Sequence, residues 1–331
     1  MTIGSELVPG RARSGRPRNA CLRSRVFTAC AICLLTFPFV GFCADIEVVD
    51  DRGDTLVLER PARRIVSLAP HVTELLFAAG AGESVIGVVN HSDFPAAARE
   101  IQQIGSNRSV SQEALVALQP DLVIAWYSGN GPEIIDRLRA FGLKVYVNEP
   151  RVLADVARSL ENFGALAGAG AIGAAAARAF IDGYEALEHR YRERSPVSVF
   201  YQVWDEPLTT LNGEHLISDV IELCGGRNVF ADALPLAPRI SIESVVRSNP
   251  DTIVASGMGI SRPEWLDDWR DWPSINAVKY EQLYFVPPDL LQRHTPRILD
   301  GARRLCDHLQ KARAAHALRK AGALSQPNSG P

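Results

Sequence analysis

Two stretches of the chain, VSQEALVALQPDLVIAW (110–126) and ISIESVVRSNPDTIVAS (240–256), agree at Ser111/Ser241, Glu113/Glu243, Val116/Val246, Pro120/Pro250, Asp121/Asp251 and Ala125/Ala255, each pair 130 positions apart. Each reads as a short helix stopped by a proline and followed by a β-branched strand. Helix–strand units share such patterns by physics alone, but a constant offset across all these identities points to two similar lobes. Between the copies lies AGAIGAAAARAFIDGYEALEHRYRER (169–194), Ala-rich and free of proline, which reads as one long helix. About 23 helical residues span roughly 35 Å, the width of a small domain. Two lobes joined by one helix leave a cleft between them, and ligands prefer such clefts.

The 331 residues allow about two domains at roughly 150 residues each. Hydrophobic residues make up 47% and charged residues 22%, which excludes a mainly disordered or fibrous chain. The net charge of −3 gives no general case for nucleic-acid binding. Charge is uneven, however. Residues 1–43 hold Arg11, Arg13, Arg16, Arg18, Arg23 and Arg25 against Glu6 alone. The following VFTACAICLLTFPFVGFCA is apolar for about 18 residues and contains Pro38. A basic start, a short apolar run and small residues near Cys43 and Ala44 read as a secretory signal peptide over 1–43. An N-terminal membrane anchor is the alternative. Lipid attachment at Cys43 is disfavoured by the bulky Phe42 before it. Cys21, Cys30, Cys33 and Cys43 fall in this leader, and its CAIC spacing has no strand before it, so it carries no redox reading. Cys224 and Cys306 remain, as one disulfide in an oxidising compartment or as two buried thiols.

Along the rest of the chain β and α patterns alternate, the signature of mostly parallel sheets covered by helices. RIVSL (64–68), VIGVV (85–89), PDLVIAW (120–126) and KVYVN (144–148) read as strands. Thr73 reads as the cap of a helix TELLFAAG, PEIIDRLRAFG (132–142) as an amphipathic helix, and about 152–166 as another. A second β/α series opens at VSVFYQV (197–203) and continues through HLISDVIELCGG, PDTIVAS (250–256) and a C-terminal helix. The expected organisation is an N-terminal lobe over 60–167, a linking helix over 168–194, a C-terminal lobe over 195–316 and a disordered tail over 317–331. Gly168, Gly170 and Gly173 spell G-x-G-x-x-G, but a helix precedes them where a dinucleotide site needs a strand. They read instead as the start of the long helix.

Signals for catalysis are thin. No G-x-S-x-G, H-E-x-x-H or P-loop is present in the sequence. His71, His91, His189, His215, His294, His308 and His316 are scattered without close metal-ligand spacing, and each reads as a surface or capping residue. Aromatic and polar residues do gather just past strand ends: His91 and Phe94, Trp126 and Tyr127, Trp204 and Asp205. Ligands in α/β folds sit outside the carboxyl ends of strands, so these side chains are expected to face the cleft, with core packing as the alternative.

RIVSLAPHVTELLFAAG, VNHSDFP, QEALVALQPDLVIAW, IELCGGRNVF and PPDLLQRHTPRI, within about residues 60–312, resemble the substrate-binding proteins that serve ABC importers of cobalamin, haem and iron–siderophores, and among them the cobalamin binders. The resemblance implies an α/β fold of two Rossmann-like lobes bridged by one long helix, with little hinge motion. It implies a monomeric, non-catalytic periplasmic protein that binds cobalamin as transported ligand, with no resident cofactor, and delivers it to a permease dimer. Of the family's pocket aromatics, Trp126 is kept, with Tyr127 beside it as a further candidate, and one near the first strand of the second lobe falls at Val203 or Trp204. His91 and Asn107 stand where the family has aromatics, and another near Ala237 is absent. The polar D-x-x-x-R pair is kept as Asp289 and Arg293. The resemblance further implies permease docking through Glu113 and Glu243, which also suit N-terminal helix capping. It pairs Cys224 with Cys306. Haem or an iron–siderophore is the alternative ligand, with His91 then a candidate iron ligand.

Overall fold

Runs such as LVIAW and TIVA carry no polar alternation, and strands of that kind need cover on both faces. The computed structural model, which describes residues 45–324 apart from 258 and 260, gives them that cover. The leader, with its signal-peptide expectation, lies outside the described residues. An antiparallel hairpin comes first, β1 (Ile46–Val49) with β2 (Thr55–Leu58). Then follow β3 (Ile65–Ser67), α1 (Pro70–Ala78), β4 (Val85–Val88), α2 (Gln112–Leu118), β5 (Leu122–Trp126), α3 (Pro132–Ala140), β6 (Val145–Asn148) and α4 (Leu153–Leu166). The linking helix is α5, Gly170–Tyr191. The second series is β7 (Val197–Gln202), α6 (Leu216–Leu223), β8 (Gly226–Asn228), α7 (Ile242–Ser248), β9 (Thr252–Ala255), β10 (Leu283–Phe285) and α8 (Ile298–Leu324).

Among the described residues, two parallel four-stranded sheets stand on either side of α5 in sequence, ordered β4-β3-β5-β6 and β8-β7-β9-β10. Counted within each lobe, the orders are the same. The internal repeat has a mechanical basis. Ser111 and Ser241 cap α2 and α7 by accepting from the amides of Ala114 and Ser244. Gln119 and Asn249 end those helices in the left-handed region, at φ 44° and 45°. The Asp121 carboxylate then accepts from the amides of Arg63 and Arg64, just before β3. Asp251 accepts likewise from the amide and hydroxyl of Ser198 at the start of β7. The repeated P-D thus ties each lobe's third strand to its first.

One expectation is corrected, and two elements reach beyond the expected boundaries. The first helix opens at Pro70, not at Thr73. Proline suits the first helical position, where its missing N–H has no partner to lose. Thr73 is instead buried inside α1, its hydroxyl within reach of Ser67 Oγ and Ser92 Oγ. The β1–β2 hairpin lies before the expected lobe boundary and docks on β6, with Val147 donating its amide to Asp50 Oδ2. The C-terminal helix continues to Leu324, into the expected tail, and the remainder of that tail lies outside the described residues.

Gly173 explains the glycine motif. A Cβ there would stand 2.5 Å from the Leu160 carbonyl oxygen and one on Gly164 2.9 Å from Gly173 Cα, so α4 and α5 touch backbone to backbone. At the far side of the chain Cys224, after α6, is disulfide-bonded to Cys306 in α8. Arg313, also in α8, donates to the carbonyls of Ser195, Cys224 and Gly225, binding the same junction a second time.

The bond closes a loop with a sequence separation of 82. Chain entropy makes such a closure worth on the order of 4 kcal/mol. Protein lacking residues 1–43 should show no free thiol when unfolded without reductant, and the Cys224→Ala, Cys306→Ala double variant should melt well below the parent. Two titratable thiols in the unreduced, unfolded protein would contradict the pairing.

Candidate functional site

The carboxyl ends of both sheets deliver aromatic rings to one seam. From the first lobe, β5 ends on Trp126, and the loop after β3 leads into α1 with His71 on its first turn. From the second, the segment after β7 returns to His215, which caps α6 by accepting from the Ile217 amide at 3.1 Å. The chain after β10 reaches His294. His71 packs edge-on against Trp126 with centroids 5.2 Å apart. His294 lies 5.7 Å from His71 and 5.3 Å from His215. His71 and His294 are only 4% and 5% exposed.

Hydrogen bonding sets the tautomers. Asn148 donates its amide to Asp51 Oδ2 and Ser159 Oγ, which leaves its oxygen to face His71 Nε2 at 3.2 Å. That nitrogen therefore carries the proton. His215 Nδ1 accepts, so its Nε2 carries the proton. Trp126 Nε1 and His294 Nδ1 are buried without a protein partner among the described residues. Burial, opposed by the Asn148 bond and helped by Arg293, holds His71 down at about 4. Burial, helped by Arg151, holds His215 at about 4. Burial and the two neighbouring imidazoles keep His294 well below its ordinary value. The three rings are neutral at neutral pH. They do not converge as a chelate: among the described residues no three His, Cys, Asp or Glu side chains are placed to hold a metal ion.

Charged side chains cross the seam beside the rings. Glu74, 3% exposed on α1, accepts from Arg297 Nε and Nη2, both at 2.6 Å, and from Thr295 Oγ1 at 2.7 Å. Arg297 also covers the Phe94 ring at 3.9 Å. Arg293 Nη1 donates to Asp93 Oδ1 at 2.6 Å, and Arg293 Nη2 lies 3.2 Å from Asp289 Oδ1.

The residues singled out in the sequence fall into several settings. Trp126 is in the seam. Trp204 stands on the rim, 37% exposed, its indole N–H held by the Glu206 carbonyl. His91 is exposed in the left-handed region at φ 63°. Tyr127, the first residue after β5, packs in the opposite core from Trp126, where the Arg52 guanidinium covers it at 4.2 Å. Asn107 faces the short helix Tyr127–Asn130, accepting from Asn130 on its carbonyl at 2.6 Å. Glu113 and Glu243 lie on the exposed first turns of α2 and α7. Sequence reasoning misses His71, His215, His294, Glu74 and Asp93 as seam residues. The available signal is that His71, His215 and His294 all stand at or beside helix starts in segments that follow strands.

Since the buried imidazoles bind protons less readily folded than unfolded, stability rises with pH across their range. It is complete above about 6.5 and is lost as pH falls through about 4, at a cost on the order of 3 kcal/mol for His71 alone. The melting temperature should therefore drop as pH is lowered from 6.5 toward 4.5. A His71→Gln, His294→Gln double variant should show a flatter slope. An identical slope in both proteins would place the acid sensitivity elsewhere.

With this geometry the chain resembles known proteins along most of its length. The family model described as periplasmic binding protein matches residues 65–290. The vitamin B12-binding protein of Vibrio cholerae is 35% identical over 253 residues, which cover 76% of this chain and 91% of that protein. The crystal structure of the periplasmic vitamin B12-binding protein BtuF of Vibrio cholerae superposes with a TM-score of 0.71 at 34% identity, covering 76% of this chain and 98% of that one. The periplasmic heme-binding protein RhuT from Roseiflexus sp. RS-1 shares the fold at a TM-score of 0.67 and 23% identity, covering 76% and 99%. The chain belongs to the periplasmic binding protein family.

Proposed function

We propose that this protein is a non-catalytic, monomeric periplasmic receptor that captures cobalamin and delivers it to the permease dimer of an ABC importer, after export on the 1–43 leader. The observation that carries the reading is its similarity to vitamin B12-binding proteins across nearly their whole length, together with an aromatic seam at the strand ends. Trp126 and Trp204 supply flat apolar area for a corrin face. His91 and Asn107 extend the rim, Tyr127 packs in the opposite core under Arg52, and Asp289 with Arg293 offers polar contacts to the ligand's edge. Haem is the competing ligand within the same fold, with His91 then the exposed imidazole nearest to hand.

Docking is assigned to Glu113 and Glu243. Ser111 and Ser241 accept from the Ala114 and Ser244 amides, and both glutamates are exposed on the first turns of their helices. The Ser241 hydroxyl and the Glu243 amide hold the Glu243 carboxyl below its usual range, so it stays charged. Two acids at equivalent positions of two similar lobes suit a pseudo-twofold contact with basic residues on a symmetric dimer.

Calorimetry with cyanocobalamin should show one site of micromolar affinity or better, about −8 kcal/mol or stronger. Binding of haem with no heat from any corrinoid would end the cobalamin reading. Glu113→Ala and Glu243→Ala should each slow association with the permease in a salt-sensitive way and reduce transport, the double variant most, while cobalamin affinity stays within about twofold. Normal transport by the double variant, with only a lowered melting temperature, would reduce both acids to helix capping.

A further inference from the structure

Arg293 is matched to the family's ligand-contacting arginine, yet it is not presented as a free cation. Its side chain is only 13% exposed, while its partners Asp93 and Asp289 are 47% and 39% exposed. The two carboxylates come from opposite lobes, Asp93 from the loop after β4 and Asp289 from the segment after β10, and they meet the guanidinium from either side. The neighbouring Arg297 is bound to buried Glu74 and lies on Phe94. Arg99, the other cation close by, is exposed and donates to the Asp93 carbonyl. Burial opposes ionisation of Asp93, but the hydrogen bond and charge of Arg293 outweigh it and hold the carboxyl below its usual range. What this corner shows to an incoming molecule is therefore carboxylate oxygen, with the positive charge behind it.

Resting on the ligand reading above, we infer that the Asp93–Arg293–Asp289 cluster is a charge filter, which accepts neutral carboxamide edges and rejects carboxylates. A carboxamide N–H₂ donates to the exposed Asp93 and Asp289 oxygens, and its carbonyl can take whatever guanidinium N–H is left. A carboxylate at the same place meets two like charges and gains access to Arg293 only by displacing Asp93. The peripheral amides of a corrinoid pass such a filter, and the propionates of haem do not. Asp93 both meets the ligand's edge and holds Arg293 back, and so sets ligand selectivity by penalising the wrong partner.

The test compares ligands that differ in one charge. Purified wild-type protein is titrated in low salt with cyanocobalamin, with its separate monocarboxylates in which one peripheral carboxamide is hydrolysed, and with haemin. At least one monocarboxylate should bind about tenfold or more weaker than cyanocobalamin, with the gap narrowing in high salt. Asp93→Asn should raise the haemin-to-cyanocobalamin affinity ratio by about tenfold or more, and Asp289→Asn should move it the same way. The wild-type comparison needs no variant, so misfolding of either cannot blur it. Tight cyanocobalamin binding without discrimination against any monocarboxylate overturns the filter and leaves the cobalamin reading intact. Failure to bind any corrinoid, with haemin excluded by the wild type and admitted by Asp93→Asn, does the reverse.

Discussion

A carboxylate buried to 3% exposure between two lobes has to be neutralised where it stands, and Glu74 is neutralised by a residue from the other half of the chain. Removing one partner from such a pair strands an uncompensated charge, which costs far more than the pair itself contributes. The bidentate Arg297 fork and the Thr295 hydroxyl therefore fix α1 against the start of α8 in one register. His71, on the same helix, and His294, just before Thr295, meet because that register is fixed. So do Asp93 and Arg293. The seam is less a cavity with residues around it than a consequence of one satisfied charge.

The fold was legible where the sequence carries period and punctuation. The repeat at a 130-residue offset is visible because Ser and Asp each do the same backbone job in both copies. The long helix is visible from its alanines. The β1–β2 hairpin escapes because its strands are only four residues each, although the D-R-G-D turn with Gly53 at φ 85° marks it. Thr73 misleads because a β-hydroxyl before an apolar run looks like a cap, and only the proline ahead of it says otherwise.

The candidate site was legible in part, and for a reason of length scale. Trp126 and Trp204 lie next to strand ends that local pattern reveals. Tyr127 shows how little that adjacency guarantees, since one step past the strand end puts its ring in the other core. The histidine trio has no local pattern at all. His71, His215 and His294 are far apart in sequence and converge only through the crossing of two sheets, so each alone looks like an ordinary polar residue. The same holds for Asp93, whose role rests on an arginine in the opposite lobe.

The contact between Gly164 and Gly173 has a mechanical meaning beyond close packing. The 22 residues of α5 form a rod of about 33 Å, pressed against α4 near one end. A single methyl on Gly173 would overlap the Leu160 carbonyl and force the two helices to part or tilt. The spacing of α4 and α5 at that end is thus set by hydrogen atoms on two glycines, where any side chain would hold the helices apart.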